Sequence, residues 1–185
     1  MTVYFTASIV GKKHHLAKYL SIINYLKSKN YEVTSDHIIN STSSQIISEN
    51  RDERIRFQNR LEKWISESDF MIAETSFPSI SVGYEISLAL QENKPVLVLY
   101  SEGNPPSLLI HHKDENLDCE KYTLSTLPEI IDNFVKYVEG AVDARFTFFI
   151  TSEIASYLDK VSKKEKVPKS VYIRKLIERE MRSGK

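Results

Sequence analysis

Residues Asp69–Tyr100 read DFMIAETSFPSISVGYEISLALQENKPVLVLY. Asp69–Glu74 is a short apolar run that fits a buried strand. Pro78 and Ser79 mark the turn after it. Val82–Glu92 fits a helix. Pro95–Tyr100 is the near-continuous apolar run expected of a parallel strand covered on both faces. Strand, turn, helix and strand in this order make a βαβ unit, whose strands run parallel and whose crossover is right-handed.

The same alternation continues outward. Thr2–Ser8 (TVYFTAS) is β-branched and aromatic, a first strand broken by Gly11. Leu16, Tyr19, Leu20, Ile23 and Leu26 recur at helical spacing across Leu16–Lys29, Asn30 ends that helix, and Tyr31–Thr34 begins a weaker strand. His37–Asn50 is polar and Ser-rich, the composition of a long loop. Arg51–Glu67 is a charged helix with an apolar stripe at Ile55, Leu61, Trp64 and Ile65. Beyond Tyr100, the loop Gly103–Pro106, an edge strand at Tyr122–Leu124 and a helix over Leu127–Tyr137 close the domain. The pattern predicts an α/β fold over residues 1–142, a doubly wound parallel sheet of flavodoxin/Rossmann-like type. Ligands of such sheets sit at the carboxyl ends of the strands, here the loops after Ser8, Glu74 and Tyr100.

Composition bounds the function. The chain has 185 residues, 41% of them apolar and 27% charged, which suits a packed globular protein. Only five glycines are present, which argues against a Gly-rich nucleotide loop. One cysteine, Cys119, excludes a disulfide or a Cys-based zinc site within one chain. Met1–Val10 lacks the pattern of a signal peptide, and no apolar run approaches the roughly 20 residues that span a bilayer. The expected location is cytoplasmic, with no membrane partner. The adjacent histidines His14–His15 and His111–His112 do not share a helix face, so they read as surface residues rather than metal ligands. His37, in the long loop, is a candidate to line a ligand pocket, and Trp64 reads as a core anchor.

Net charge is zero but unevenly spread: residues 1–144 carry 14 basic and 20 acidic side chains, and residues 145–185 carry 11 and 5. The basic end suits an anionic partner such as nucleic acid, or forms a solvated helical face. Within it, Arg145–Ile150 (RFTFFI) alternates as a strand. Thr151 or Ser152 caps a helix carrying Ile154, Leu158 and Val161, and Pro168 and Ser170 open a second helix with Ile173, Leu176, Ile177 and Met181. A strand and two helices spanning residues 143–185 bury little surface alone and call for a partner chain.

Two segments carry a family resemblance. Tyr4–Gly11 (YFTASIVG) and Asp69–Glu85, with its PS turn and GYE signature, resemble the nucleoside 2-deoxyribosyltransferase superfamily, nearest its deoxynucleoside 5′-monophosphate N-glycosidases. The resemblance spans Thr2 to Ile110. It implies that Glu85 is a nucleophile that forms a covalent glycosyl intermediate on a (deoxy)nucleoside or its monophosphate, and that Tyr4 orients it. Without the resemblance, Glu85 is an ordinary first-turn helix glutamate. The resemblance further implies substrate contacts at Ser8, Gly11, Asp69, Ser79, Gly83 and Tyr84. Ser107 would be supplied to a neighbouring subunit, and a homodimer or higher oligomer follows. No cofactor or metal is implied.

Two positions depart from the family pattern. The acid that helps protonate the leaving base falls on Leu61, with Asn59, Glu62 and Asp69 nearby but out of register. A missing general acid costs roughly 10²–10⁴-fold. The first-loop arginine of the nucleotide branch is Val10, with Lys12 and Lys13 following.

The C-terminal segment resembles ribbon-helix-helix modules. That resemblance implies dimerisation, with DNA contacts at Arg145, Thr147, Lys169 and Ser170. Phe149 is unusual among the groove-facing positions, and dimerisation alone is the alternative. A nucleotide-sensing, DNA-binding regulator is therefore the second functional expectation.

Overall fold

The computed structural model describes residues 1–103, 114–140, 150–165, and 172, 173, 176, 177, 179 and 180. The chain divides into two compact units, Met1–Asp143 and Ala144–Lys185.

The first unit is a five-stranded, all-parallel sheet in the order β2-β1-β3-β4-β5. The strands are β1 (Thr2–Ala7), β2 (Glu32–Thr34), β3 (Phe70–Glu74), β4 (Val96–Tyr100) and β5 (Leu117–Lys121). The helices are α1 (Lys12–Ser28), α2 (Asp36–Ile39), α3 (Ser43–Ser48), α4 (Arg51–Glu67), α5 (Ile80–Gln91) and α6 (Leu127–Val138). This is the doubly wound α/β fold expected from the sequence.

Strand alternation builds two cores. Val3, Phe5, Ala7, Phe70, Ile72, Leu97 and Leu99 pack on one face with Tyr19, Ile22 and Leu26 of α1 and Ile131 and Phe134 of α6. Tyr4, Met71, Ala73, Val96 and Val98 pack on the other with Leu61 and Ile65 of α4 and Val82, Ile86 and Ala89 of α5. Successive strand residues point to opposite faces, so each strand serves both layers. The pairing Tyr4↔Met71, Thr6↔Ala73 and Ala7↔Glu74 sets β1 beside β3. Chain order reverses there, which makes the β1–β3 crevice the topological switch point.

Several boundaries differ from expectation. Helix α1 starts at Lys12, and Leu16 and Leu20 of the predicted stripe are exposed. The stretch read as a loop over His37–Asn50 holds all but the first residue of α2 and the whole of α3. Helix α3 is opened by a capping box in which Thr42 accepts from the Gln45 amide. Ile55 is exposed, so the buried stripe of α4 rests on Leu61 and Ile65. The edge strand is Leu117–Lys121, not Tyr122–Leu124. Tyr122 instead turns inward and is 1% exposed.

The second unit contains α7 (Ser152–Glu165), and Tyr172, Ile173, Leu176, Ile177, Arg179 and Glu180 are also helical. Thr151 Oγ1 accepts from the Ile154 amide at 3.3 Å, capping α7 as expected. Leu158 is its buried residue among the described ones, at 5% exposure, and Tyr157 Oη lies 3.3 Å from Tyr172 Oη. Most of the expected strand Arg145–Ile150, with Arg145, Thr147 and Phe149, lies outside the described residues. So do Lys169 and Ser170.

Candidate active site

Glu85 sits in the second turn of α5, 6% exposed, facing the sheet at the switch point. Ser79 opens that helix: its Oγ accepts from the Val82 amide at 3.4 Å. The helix start sets Glu85 about a turn and a half inside α5.

Tyr4, fully buried on β1, donates from Oη to Glu85 Oε2 at 3.0 Å. The same oxygen lies 2.9 Å from His37 Nε2. Tyr4 has one hydroxyl proton, given to Glu85, so its oxygen accepts from His37 and the imidazole carries its proton on Nε2. A directed chain runs from His37 N–H through Tyr4 O–H to the carboxylate. His37 Nδ1 is then a bare acceptor, buried and without a hydrogen-bond partner among the described residues. The rings of Tyr4 and His37 stack at 5.1 Å and 14°, and Trp64 stacks on the other side of His37 at 5.1 Å.

Burial raises the Glu85 carboxyl above the ordinary range, and the nearby hydroxyls of Thr6 and Tyr4 pull it partly back. The Thr6 hydroxyl faces the same carboxylate without closing a hydrogen bond of good geometry. Burial pulls His37 down to about 4, so the imidazole is neutral at pH 7. No Lys, Arg or His among the described residues pairs with Glu85. A desolvated carboxylate without a cation is available to a positive charge developing next to it.

The remaining predicted residues divide. Ser8 is buried and turns the first loop, its Oγ accepting from the Gly11 amide at 3.1 Å. Gly11 is tightly packed: a Cβ there would lie 2.6 Å from Phe77 Cβ and 2.9 Å from Tyr19 Oη. This contact ties the first loop to the β3–α5 turn. Gly83 is exposed, and a Cβ there would meet nothing within 4 Å. Tyr84 is half-exposed, and its Oη accepts from Gln58 Nε2 at 2.8 Å.

Asp69 is a correction. It precedes β3 at the opposite, amino-terminal edge of the sheet, where its Oδ2 accepts from the Thr2 amide at 2.7 Å. Ser107 lies outside the described residues, as do His111 and His112.

Lys12, which follows Val10 in the first loop, donates to the carbonyls of Ile39 (2.7 Å) and Ser41 (2.5 Å), holding the end of α2. His14 is a surface residue, but His15 is buried at 7% exposure. Trp64 is half-buried: it packs against the core beneath α4, as expected, and also forms one wall of the His37 slot. Among the described residues, no group of three His, Cys, Asp or Glu side chains is placed to hold a metal ion.

Sequence reading missed the connection of His37 to Tyr4 and a second buried acid, Glu74. Glu74 is fully buried at the end of β3 on the other sheet face and accepts from Tyr122 Oη at 3.1 Å and from Ser76 Oγ.

An α/β sheet with a buried, tyrosine-bonded glutamate at its switch point defines a class of domain built around one anionic side chain in a cleft. Comparison with known proteins narrows the class. A Nematostella vectensis protein, provisionally named 2′-deoxynucleoside 5′-phosphate N-hydrolase 1, is 31% identical over 137 residues, covering 71% of this chain and 92% of that one. The 5-hydroxymethyl-dUMP N-hydrolase of Danio rerio is 31% identical over 100 residues, 54% of this chain and 68% of its own. The structure of the Clostridium botulinum CMP N-glycosidase BcmB shares the fold, with TM-score 0.55, 20% identity, and coverage of 72% of this chain and 99% of that one. The family described as ribbon-helix-helix domain matches residues 144–179. The chain belongs to the 2′-deoxynucleoside 5′-phosphate N-hydrolase family, with a ribbon-helix-helix domain at its C-terminal end.

Proposed function

We propose that the α/β domain hydrolyses the N-glycosidic bond of a (deoxy)nucleoside or its 5′-monophosphate, with Glu85 as nucleophile. The observation that carries this reading is the chain His37–Tyr4–Glu85, closed at 2.9 and 3.0 Å inside the switch-point cleft. Glu85 attacks C1′ as the base departs and forms a glycosyl ester, and water then attacks C1′ and frees the carboxylate. Tyr4 holds the attacking oxygen in place. Because His37 keeps its proton on Nε2, Tyr4 points its own proton at Glu85 throughout. The amide-rich start of α5 at Ser79 and the turn at Ser8–Gly11 suit the sugar's 5′ end, phosphorylated or not. The names of the relatives support a nucleotide substrate.

The test is chromatographic. Wild type and Glu85→Ala are incubated with ribo- and deoxyribonucleosides and their 5′-monophosphates, with and without a free acceptor base. Base release that depends on Glu85 is expected, and transfer to the acceptor would assign a transferase instead. Equal rates for both proteins would remove the proposal.

A second reading concerns the basic end of the chain. Its family match and its excess of six positive charges favour a dimeric module that binds DNA. Mobility shifts that weaken steeply with salt are expected. No binding to any DNA at low salt would leave dimerisation as its role.

A further inference from the structure

Glu74 is a second carboxyl at the carboxyl edge of the sheet, and the chemistry at Glu85 does not use it. It is fully buried at the end of β3, on the face that packs against α1. Burying a carboxyl costs stability unless hydrogen bonds repay it. Its Oε1 accepts two, from Ser76 Oγ and from Tyr122 Oη at 3.1 Å. Its Oε2 is buried without a hydrogen-bond partner among the described residues, as is Nδ1 of His15. A carboxyl kept buried with one oxygen idle calls for a role besides stability.

Ser76 connects that carboxyl to two loops. Its single proton goes to Glu74, so its oxygen accepts from the Ser101 amide and the Ser101 hydroxyl, each at 2.8 Å. Ser101 Oγ accepts in turn from Lys18 Nζ at 2.9 Å, and Lys18 also pairs with Glu102 at 2.5 Å. A directed chain thus runs from Lys18 through Ser101 and Ser76 to Glu74. It joins α1, the loop after β4 and the β3–α5 turn to one buried acid. The backbone ladder between β3 and β4 reaches the Thr75 amide, bonded to the Leu99 carbonyl at 2.8 Å, and one residue later Ser76 continues it with its side chain.

The neighbours of Ser76 lead to the cleft. Phe77 is packed on Gly11, and His14 stacks on Phe77 at 6.4 Å and 13°. Ser79, three residues on, caps α5. Tyr19 holds the first loop from the same side: its Oη donates to the Ser8 carbonyl at 3.3 Å, and its ring stacks on His15 at 6.4 Å. Burial and the nearby Glu74 charge push the Tyr19 phenol up, so it stays a donor. Ser8–Gly11 and Ser79 are the two pieces assigned above to the sugar's 5′ end. Both are footed on the Glu74 cluster, whereas Glu85 is held by Tyr4 from the opposite sheet face.

We propose that Glu74 is a positioning residue: through Ser76 it sets the spacing of the two loops around the substrate's 5′ end, and so fixes the preference between a nucleoside 5′-monophosphate and its nucleoside. The proposal rests on the placement of the 5′ end in the functional reading above. Glu74 acts through the loops and not on the reacting atoms, so its loss falls on binding rather than on attack at C1′.

The experiment compares wild type with Ser76→Ala, Ser76→Thr and Glu74→Gln on 2′-deoxyuridine, 2′-deoxycytidine and their 5′-monophosphates. Dissociation constants are measured by calorimetry with each substitution placed in Glu85→Ala protein, and kcat and KM with Glu85 present. Melting curves establish that each protein folds, and Ser76→Ala, which removes one hydroxyl from a turn, serves if Glu74→Gln does not. Wild type is expected to prefer the monophosphates. Ser76→Ala and Glu74→Gln should weaken monophosphate binding roughly tenfold, leave nucleoside binding unchanged, and raise KM without lowering kcat. Ser76→Thr keeps the hydroxyl and the preference. Equal weakening on nucleoside and monophosphate, a fall in kcat with KM unmoved, loss of the preference in Ser76→Thr, or a wild type indifferent to the phosphate overturns the proposal and leaves Glu85 in place. Base release absent from every compound, with the binding preference present in wild type and lost in Ser76→Ala, removes the N-glycosidase reading and supports the role of Glu74.

Discussion

Glu85 sets two opposing pH dependences. Its attack requires the carboxylate, while burial favours the neutral acid. Turnover therefore rises with pH along a limb lying above the ordinary glutamate range. Stability runs the other way. The folded state holds the Glu85 proton more tightly than the unfolded chain, so this contribution is complete at low pH and is lost as pH rises through the raised folded value. Glu85→Gln is expected to abolish turnover and to flatten that fall in thermal midpoint. Glu74, also raised by burial, contributes a slope of the same sign, so only the difference between the two proteins isolates Glu85. Melting curves across the acidic range check this, and an unchanged slope would refute it. Tyr4→Phe removes the hydrogen bond that favours the carboxylate. It should cost roughly 10–100-fold in kcat and move the acid limb to higher pH. A lowered kcat with the limb unmoved would mean that Tyr4 only fills space. Of these residues, Glu85 and Tyr4 were legible through a resemblance of short motifs. The pairing of Tyr4 with His37 was not, because residues 33 apart meet only once β1 and α2 are both placed.

The first loop and the β3–α5 turn behave as one unit because Gly11 and Phe77 are in contact. A methyl group at position 11 would lie 2.6 Å from Phe77 Cβ, which is part of every residue but glycine, so a rotamer change at 77 cannot relieve it. Gly11→Ala should destabilise the domain by about 1–3 kcal/mol. Denaturant titration gives the cost, and a neutral result would show that the loop shifts freely. The parallel sheet and the larger helices followed from apolar periodicity. The polar stretch after β2 did not, because α2 and α3 are four and six residues long, too short to show a period. Their signal was in the caps: Thr42 with Gln45 and Asn50 with Glu53 are the T-x-x-Q and N-x-x-E pairs that open helices. The edge strand was misplaced because Leu117–Lys121 alternates with charged residues, while the more aromatic Tyr122 beyond it belongs to the core.

At the scale of the whole chain, the division at Asp143 predicts that residues 1–143 fold alone. Every described side chain of the candidate site lies within them, so this fragment should keep Glu85-dependent turnover while losing any DNA binding. Failure to fold would show that the division does not mark an autonomous domain. The charge asymmetry that marked this boundary was visible in the sequence, since it needs only counting. What the basic module binds was not, since that depends on a second molecule. The alternation of β1 has one more consequence. Tyr4 faces the cleft and Phe5 the opposite core, so losing a single residue from this strand exchanges a hydroxyl for a bare ring beneath Glu85. Point substitutions along β1 should therefore grade activity, whereas one-codon deletions should extinguish it even where the protein stays soluble. Over long divergence, such a strand drifts in composition but not in length.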